Sequence, residues 1–131
     1  VTEDPTLAGN RLLNTPQTTA SLFLTHQVGL VAPATSLGSL SLGDGFLELG
    51  WGSRYVGERP GDAANSFTLP DYVVCDAFLS YRTSVNGLPA ALQLNLKNVL
   101  DETYYPSSGA SNVLVAVGEP FQALMTARVS W

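Results

Sequence analysis

Tyr72-Val73-Val74-Cys75-Asp76-Ala77-Phe78-Leu79-Ser80-Tyr81-Arg82, a link around Asn86-Gly87, and Pro89-Ala90-Ala91-Leu92-Gln93-Leu94-Asn95-Leu96-Lys97-Asn98 form the stretch that decides the fold. Successive side chains of a strand point to opposite faces, so a period of two marks a strand with one buried side. In the first run Val73, Cys75, Ala77, Leu79 and Tyr81 share a face; Asp76, Ser80 and Arg82 share the other, with Val74 and Phe78 mixed in. In the second, Ala90, Leu92, Leu94 and Leu96 stand against Ala91, Gln93, Asn95 and Lys97. Asn-Gly supplies both positive-φ positions of a type I′ hairpin turn. With Asn86 and Gly87 there, Val85 faces Leu88, Leu79 meets Leu94, Tyr81 meets Leu92, Ser80 meets Gln93 and Asp76 meets Lys97. This register predicts an Asp76–Lys97 cross-strand ion pair that neutralises charge on the polar face, worth about 0.2–1 kcal/mol.

The same alternation recurs outward from this hairpin. Strands are expected at about 18–28, 46–57, 72–82, 89–98 and 121–131, each bounded by Gly, Pro, Asn, Asp or Ser. The first sets Ala20, Leu22 and Leu24 against Thr19, Ser21 and Thr25, with Phe23 as an exception. The second sets Leu47, Leu49, Trp51 and Tyr55 against Glu48, Gly50, Gly52 and Arg54. The last sets Phe121, Ala123, Met125, Ala127, Val129 and Trp131 against Gln122, Leu124, Thr126, Arg128 and Ser130. Five strands of this length with unbroken apolar faces match the all-β, antiparallel, up-and-down pattern of a transmembrane β-barrel, whose segments of about 9–11 residues cross a bilayer at a tilt. The alternative is a soluble all-β binding module, a sandwich whose wet face is normally rich in Lys and Glu. Here the polar faces carry mostly Gln, Asn, Ser, Thr and Gly, which suits a crowded lumen. A small self-contained barrel is a third reading, but five strands fall short of the roughly eight that close the smallest barrels. Exposure discriminates: Leu22, Leu49, Leu94, Met125 and Val129 pack together in a sandwich, and form one outward belt with Trp51, Tyr55 and Tyr81 at its margins in a barrel.

Composition agrees. Only 13% of the 131 residues are charged, about half the roughly 25% of an ordinary soluble domain. With 45% apolar residues, disorder is excluded. A net charge of -5 with six basic residues excludes a nucleic-acid partner, which needs a Lys/Arg stripe. The stretch from Leu12 to Leu42 has no Asp, Glu, Lys or Arg, yet Pro16, Pro33 and its many Thr, Ser and Gln rule out a spanning helix. One cysteine, Cys75, and one histidine, His26, exclude a disulfide framework and a His/Cys zinc cluster, and each is read as a packing residue. No nucleophile, base or phosphate loop assembles, so neither an enzyme nor a metal site is expected. Glu58, Asp62, Asp71, Asp101, Glu102 and Glu119 are read as solvated loop charge. Val1 opens the chain without a methionine, and the chain is read as a processed product or a piece of something longer.

Connections also alternate: 83–88 is short, whereas 58–71 and 101–120 are long and polar, as in barrels with short periplasmic turns and long external loops. The link 29–45 breaks this rule, and Leu37 to Leu42 are read as extensions of the flanking strands.

A family resemblance rests on particular residues. Gly9-Asn10, Asn14-Thr15-Pro16, Arg54-Tyr55-Val56-Gly57-Glu58-Arg59, Asp62, Asn65, Leu69-Pro70-Asp71-Tyr72, Asp76 before Ser80-Tyr81-Arg82, Leu94-Asn95-Leu96-Lys97-Asn98-Val99-Leu100-Asp101, Tyr104-Tyr105, Gly118-Glu119-Pro120 and the closing Trp131 occur in order over essentially the whole chain. Together they resemble the C-terminal end of TonB-dependent siderophore receptors. The resemblance implies that residues 1–131 are the last five strands of a plugged, roughly 22-stranded outer-membrane barrel. It further implies a Gram-negative outer-membrane receptor that imports ferric siderophore with energy supplied by TonB, without a resident cofactor, iron arriving only as the ferric siderophore. In that family the C-terminus is periplasmic, which would put 1–16, 58–71 and 101–120 outside and Asn86-Gly87 in the periplasm. The plug domain and TonB-contacting region belong to the N-terminal part of such receptors, and nothing in these residues resembles them. The sequence departs from the family at Phe121, where Arg usually follows Gly-Glu-Pro, at Trp131, where Phe usually ends the chain, and at His26, where an aromatic is usual. Trp131 resembles the terminal aromatic read by the barrel-assembly machinery. The remaining partners implied are lipid and lipopolysaccharide around the wall and the rest of the same barrel. A ferric siderophore is bulky and often anionic, so Tyr104, Tyr105, Arg54, Arg59 and Phe67 near the outer mouth are the expected ligand contacts, and Asp76 with Lys97 the expected lumen ion pair.

Overall fold

Asn86 and Gly87 both adopt positive φ, 51° and 82°, so the hairpin turns as its sequence requires. The computed structural model describes residues 4–30, 36–37, 40–41 and 44–131. Its strands are β1 (Thr19–Leu30), β2 (Ser36–Leu37), β3 (Leu40–Ser41), β4 (Gly45–Val56), β5 (Arg59–Pro60), β6 (Thr68–Leu69), β7 (Tyr72–Val85), β8 (Leu88–Lys97) and β9 (Gln122–Val129). A 3-10 turn, Pro5–Leu7, precedes them and is capped by Asp4, whose carboxylate accepts from the Thr6 hydroxyl and amide. Those two bonds hold the Asp4 carboxyl below its usual pKa.

Five long strands form one antiparallel sheet in the order β1-β4-β7-β8-β9, an up-and-down meander. The β7–β8 register is the anticipated one, with Val85 opposite Leu88, Tyr81 opposite Leu92, Leu79 opposite Leu94 and Ala77 opposite Leu96. Segments 36–37 and 40–41 pair with each other as a separate two-stranded ladder instead of extending β1 and β4, while Leu42 lies outside the described residues.

Register sorts the side chains into two continuous faces. Leu24, Trp51, Ala77, Leu96 and Ala123 lie in one cross-strand row, and His26, Leu49, Leu79, Leu94 and Met125 in the next. Nothing covers this face among the described residues: Leu22 is 56% exposed, Leu49 43%, Met125 69% and Val129 48%. Leu94 is half-buried by its own neighbours in the row, Leu79 and Met125. These apolar residues therefore form an exposed belt and not a core, which does not favour the sandwich reading. In water such a belt forgoes about 25 cal/mol for each Å² of apolar surface it leaves wet. A contiguous exposed patch of this kind marks contact with membrane or partner.

The opposite face carries Gln27, Glu48, Ser80, Arg82, Gln93, Asn95, Thr126 and Arg128, with Arg82 reaching Glu48 at 3.8 Å. Phe23 and Phe78, the two aromatic exceptions in the pattern, stack on this face with ring centroids 6.3 Å apart. Gly52 lies opposite Phe23 and Gly50 opposite Phe78, so β4 offers bare backbone where the rings extend. A Cβ at Gly50 would collide with the Phe78 ring.

The expected Asp76–Lys97 ion pair does not form. The two residues stand in the predicted register just past the last paired positions of the ladder, but each has a nearer partner: Asp76 Oδ1 accepts from the Asn98 amide at 2.9 Å, and Lys97 Nζ bonds Glu119 Oε2 at 3.2 Å. Lys97 has a long, freely rotating stem, and Glu119 returns from the loop beyond β8 to meet it. Buried apolar residues, Leu69, Tyr72, Val74 and Cys75, concentrate toward the end of the sheet that carries the long links.

Candidate functional site at the loop end of the wall

Three segments, 4–18, 57–71 and 98–121, emerge at the same end because an up-and-down meander returns every second connection to one side. They are not independent loops. Segment 98–121 folds back on itself: Gly118 N donates to Tyr104 O at 2.7 Å, Ala116 N to Ser107 O at 2.9 Å and Gly109 N to Leu114 O at 2.7 Å, with a bridge between Ser108 and Val115. The Tyr104 ring lies where a Cβ on Gly118 would be.

Two asparagines, Asn14 and Asn65, join the segments, and a third, Asn98, ties segment 98–121 to itself. Asn14, Asn65 and Asn98 have φ of 56°, 56° and 47°, the left-handed region that Asn tolerates better than most residues. Each side-chain amide closes a two-bond ring with a backbone peptide. Asn14 donates to Ser108 O at 3.0 Å and accepts from Ser108 N at 2.9 Å. Asn65 donates to Arg11 O at 3.0 Å and accepts from Arg11 N at 2.9 Å. Asn98, 2% exposed, donates to Glu102 O and accepts from Glu102 N, both at 2.9 Å, and donates also to Glu119 O at 3.0 Å. Ser108 Oγ donates in addition to Gly61 O.

Among the expected ligand contacts, the structure brings Arg59, Tyr104 and Tyr105 together. Arg59 is 1% exposed, and its guanidinium donates to the carbonyls of Gly57, Pro70, Tyr105 and Pro106. It lies 5.0 Å from the Tyr72 ring centroid, and Tyr72 in turn lies 4.6 Å from the Tyr104 ring. Arg59 is thus corrected from a ligand contact to a buried clamp, because it is 1% exposed, four of its N–H groups are committed to carbonyls and the Tyr72 ring lies against it. Tyr104 and Tyr105 are half-buried, and Phe67 is half-buried with its ring over Gly61. Arg54 is exposed on the polar face of β4, opposite Ser21 and Val74.

Below these segments the polar face holds an open concavity of about 450 Å³ lined by Phe23, Gly50, Asp76, Phe78, Asn95 and Lys97. Two loop acids build turns: Asp62 accepts from the Ser66 amide at 2.7 Å and from its hydroxyl, and Asp101 accepts from the Phe121 amide at 2.9 Å. Among the described residues no three His, Cys, Asp or Glu side chains gather as a metal site. Trp131 follows β9 fully exposed. Asn14, Tyr72 and Ser108, which sequence reasoning did not single out as functional, prove central to this end; the signal available was Asn and Ser at turn positions.

Residues 1–99 match the family described as TonB dependent receptor-like, beta-barrel. The chain is 35% identical over 136 aligned residues to the metal-pseudopaline receptor CntO of Pseudomonas aeruginosa, covering 100% of this chain and 17% of that protein. It is 28% identical over 130 residues to an uncharacterized TonB-dependent receptor of Haemophilus influenzae, covering 94% of this chain and 34% of that protein. The ferrioxamine B receptor of Salmonella typhimurium is 35% identical over 103 residues, 76% of this chain and 13% of the receptor. The chain thus spans well under half the length of these relatives. A meander with one bare apolar face, a polar face opposite, a hydrogen-bonded block at one end and this family match lead to one conclusion: the chain belongs to the TonB-dependent receptors and forms part of their β-barrel.

Proposed function

We propose that the complete receptor carrying this chain imports ferric siderophore across the outer membrane with energy supplied through TonB, as a receptor and not an enzyme. The observation that carries this reading is the pairing of a bare apolar belt with a rigid block of segments at one end of the same sheet. The belt suits the hydrocarbon layer, with lipid and lipopolysaccharide around it, and the polar face suits a lumen lined for solute. The C-terminus and the Asn86-Gly87 turn lie in the periplasm on this reading, and the 4–18, 57–71 and 98–121 block faces outside. Tyr104, Tyr105, Phe67 and Arg54 offer aromatic faces and a free guanidinium to a bulky, anionic chelate. Trp131 serves as the terminal aromatic for the barrel-assembly machinery. Relatives named for ferrioxamine B, ferrichrome and metal-pseudopaline supply the substrate panel.

The test is uptake of radioactive iron, presented as each of those chelates, by cells with and without the receptor gene, in TonB-positive and TonB-negative backgrounds. Uptake of at least one chelate that needs both the gene and TonB is the expected result. Equal uptake with and without the gene across the panel would overturn the reading.

A further inference from the structure

Arg59 and Asn98 are the largest fully buried side chains among the described residues, and none of the carboxylates among those residues pairs with the Arg59 cation. Its charge is met by four carbonyl dipoles and one aromatic face. Two of those carbonyls, Gly57 and Pro70, belong to the link between β4 and β7. The other two, Tyr105 and Pro106, lie 46 and 47 residues along the chain from Arg59, in the segment between β8 and β9. One planar group therefore ties the backbone of Tyr105 to the β4–β7 link, and the ring of Tyr72 carries the same constraint to Tyr104.

We propose that Arg59 is a positioning residue: it touches no ligand, but it sets where Tyr104 and Tyr105 stand at the mouth and so sets the affinity for the ferric chelate. This rests on the transport reading above. The side chain is suited to the task because a guanidinium presents five donors in one fixed plane, whereas an ammonium presents three on a flexible stem and cannot span four carbonyls. The segment has other anchors. Asn98 holds its start and Asn14 holds Ser108, so loss of Arg59 frees residues 104–106 to shift while the remainder stays attached. The β4–β7 and β7–β8 ladders do not depend on it.

The experiment uses the full-length receptor with Arg59→Lys and Arg59→Met, with iron-loaded ferrioxamine B and ferrichrome as probes. The expected result is a half-saturation concentration for uptake raised by about tenfold for lysine and more for methionine, equivalent to losing one or two hydrogen bonds' worth of placement, at an unchanged maximal rate. In a Tyr104→Ala/Tyr105→Ala background the Arg59 substitutions should add nothing further. Hydrogen exchange of the detergent-solubilised receptor should quicken within 98–121 and stay constant in β4, β7 and β8. A fall in maximal rate at constant half-saturation, an undiminished effect without the tyrosines, or unchanged exchange would each overturn the proposal in a receptor that transports. Failure of the wild-type receptor to take up either probe would instead sink the transport reading for these chelates, and the inference with it.

Discussion

Leu94→Arg in the full-length receptor is expected to cost about 2–4 kcal/mol of folding stability in lipid, the penalty for a cation placed near the midplane on a lipid-facing strand position. Leu94 lies in the middle of β8, between the apolar side chains of Leu79 and Met125, on a face that nothing else among the described residues covers. Arginine there must leave the hydrocarbon by snorkelling along the wall, and no carboxylate stands in its cross-strand row to meet it. Thr25→Arg, on the other face opposite Gly50 and near Glu48, is expected to stay within about 1 kcal/mol, because its charge remains in water beside an acid. Denaturant unfolding in liposomes, read by the loss of heat-modifiable migration on gels, separates the two. Equal costs at Leu94 and Thr25 would contradict the assignment of faces.

Asn98→Ala is expected to cost about 3–5 kcal/mol, confined to segment 98–121. The change removes the partner of the Glu102 amide and of the Glu102 and Glu119 carbonyls in a partly buried place, at about 1 kcal/mol for each lost bond. It also puts a β-carbon residue without side-chain compensation at φ 47°. Asn98→Gly removes the strain but not the lost bonds, and should recover only about 1 kcal/mol of the cost. Asn98→Asp keeps the acceptor for the Glu102 amide but turns a carboxylate toward two carbonyls, so it should fall near alanine. Amide exchange at Glu102 and limited proteolysis of 98–121 measure the effect, while exchange in β7 and β8 should remain at wild-type values. Wild-type protection of Glu102 in Asn98→Gly would show that the amide ring contributes nothing.

The sheet was legible because its rule is local. Alternation in 72–98 and the Asn86-Gly87 turn fix which residues face each other, and the observed register follows from that parity alone. The Asp76–Lys97 pair failed because register places Cα atoms, whereas a lysine tip chooses among everything within reach of its stem, and Glu119 lies 22 residues further along the chain. Arg59 was misread for a related reason. Its position in a polar link suggests exposure, but burial there depends on two links folding over one another and presenting four carbonyls to one point. The same holds for Asn14 and Asn65: sequence marks them as turn residues, while the backbone peptides they pair with lie 94 and 54 residues away along the chain. Phe23 and Phe78 broke the apolar pattern for a reason visible only after pairing, since the two glycines that accommodate them sit on the strand between.

The central claim is that this sheet is a barrel wall with lipid on one face and a lumen on the other. It is tested most directly by spin labels placed singly at positions 122 to 129 of β9 in the full-length receptor in liposomes, scored for collision with oxygen and with a water-soluble nickel chelate. Labels at 123, 125, 127 and 129 should favour oxygen, and those at 122, 124, 126 and 128 should favour nickel, in strict alternation. Uniform nickel access along β9, or alternation of the opposite phase, would contradict the account.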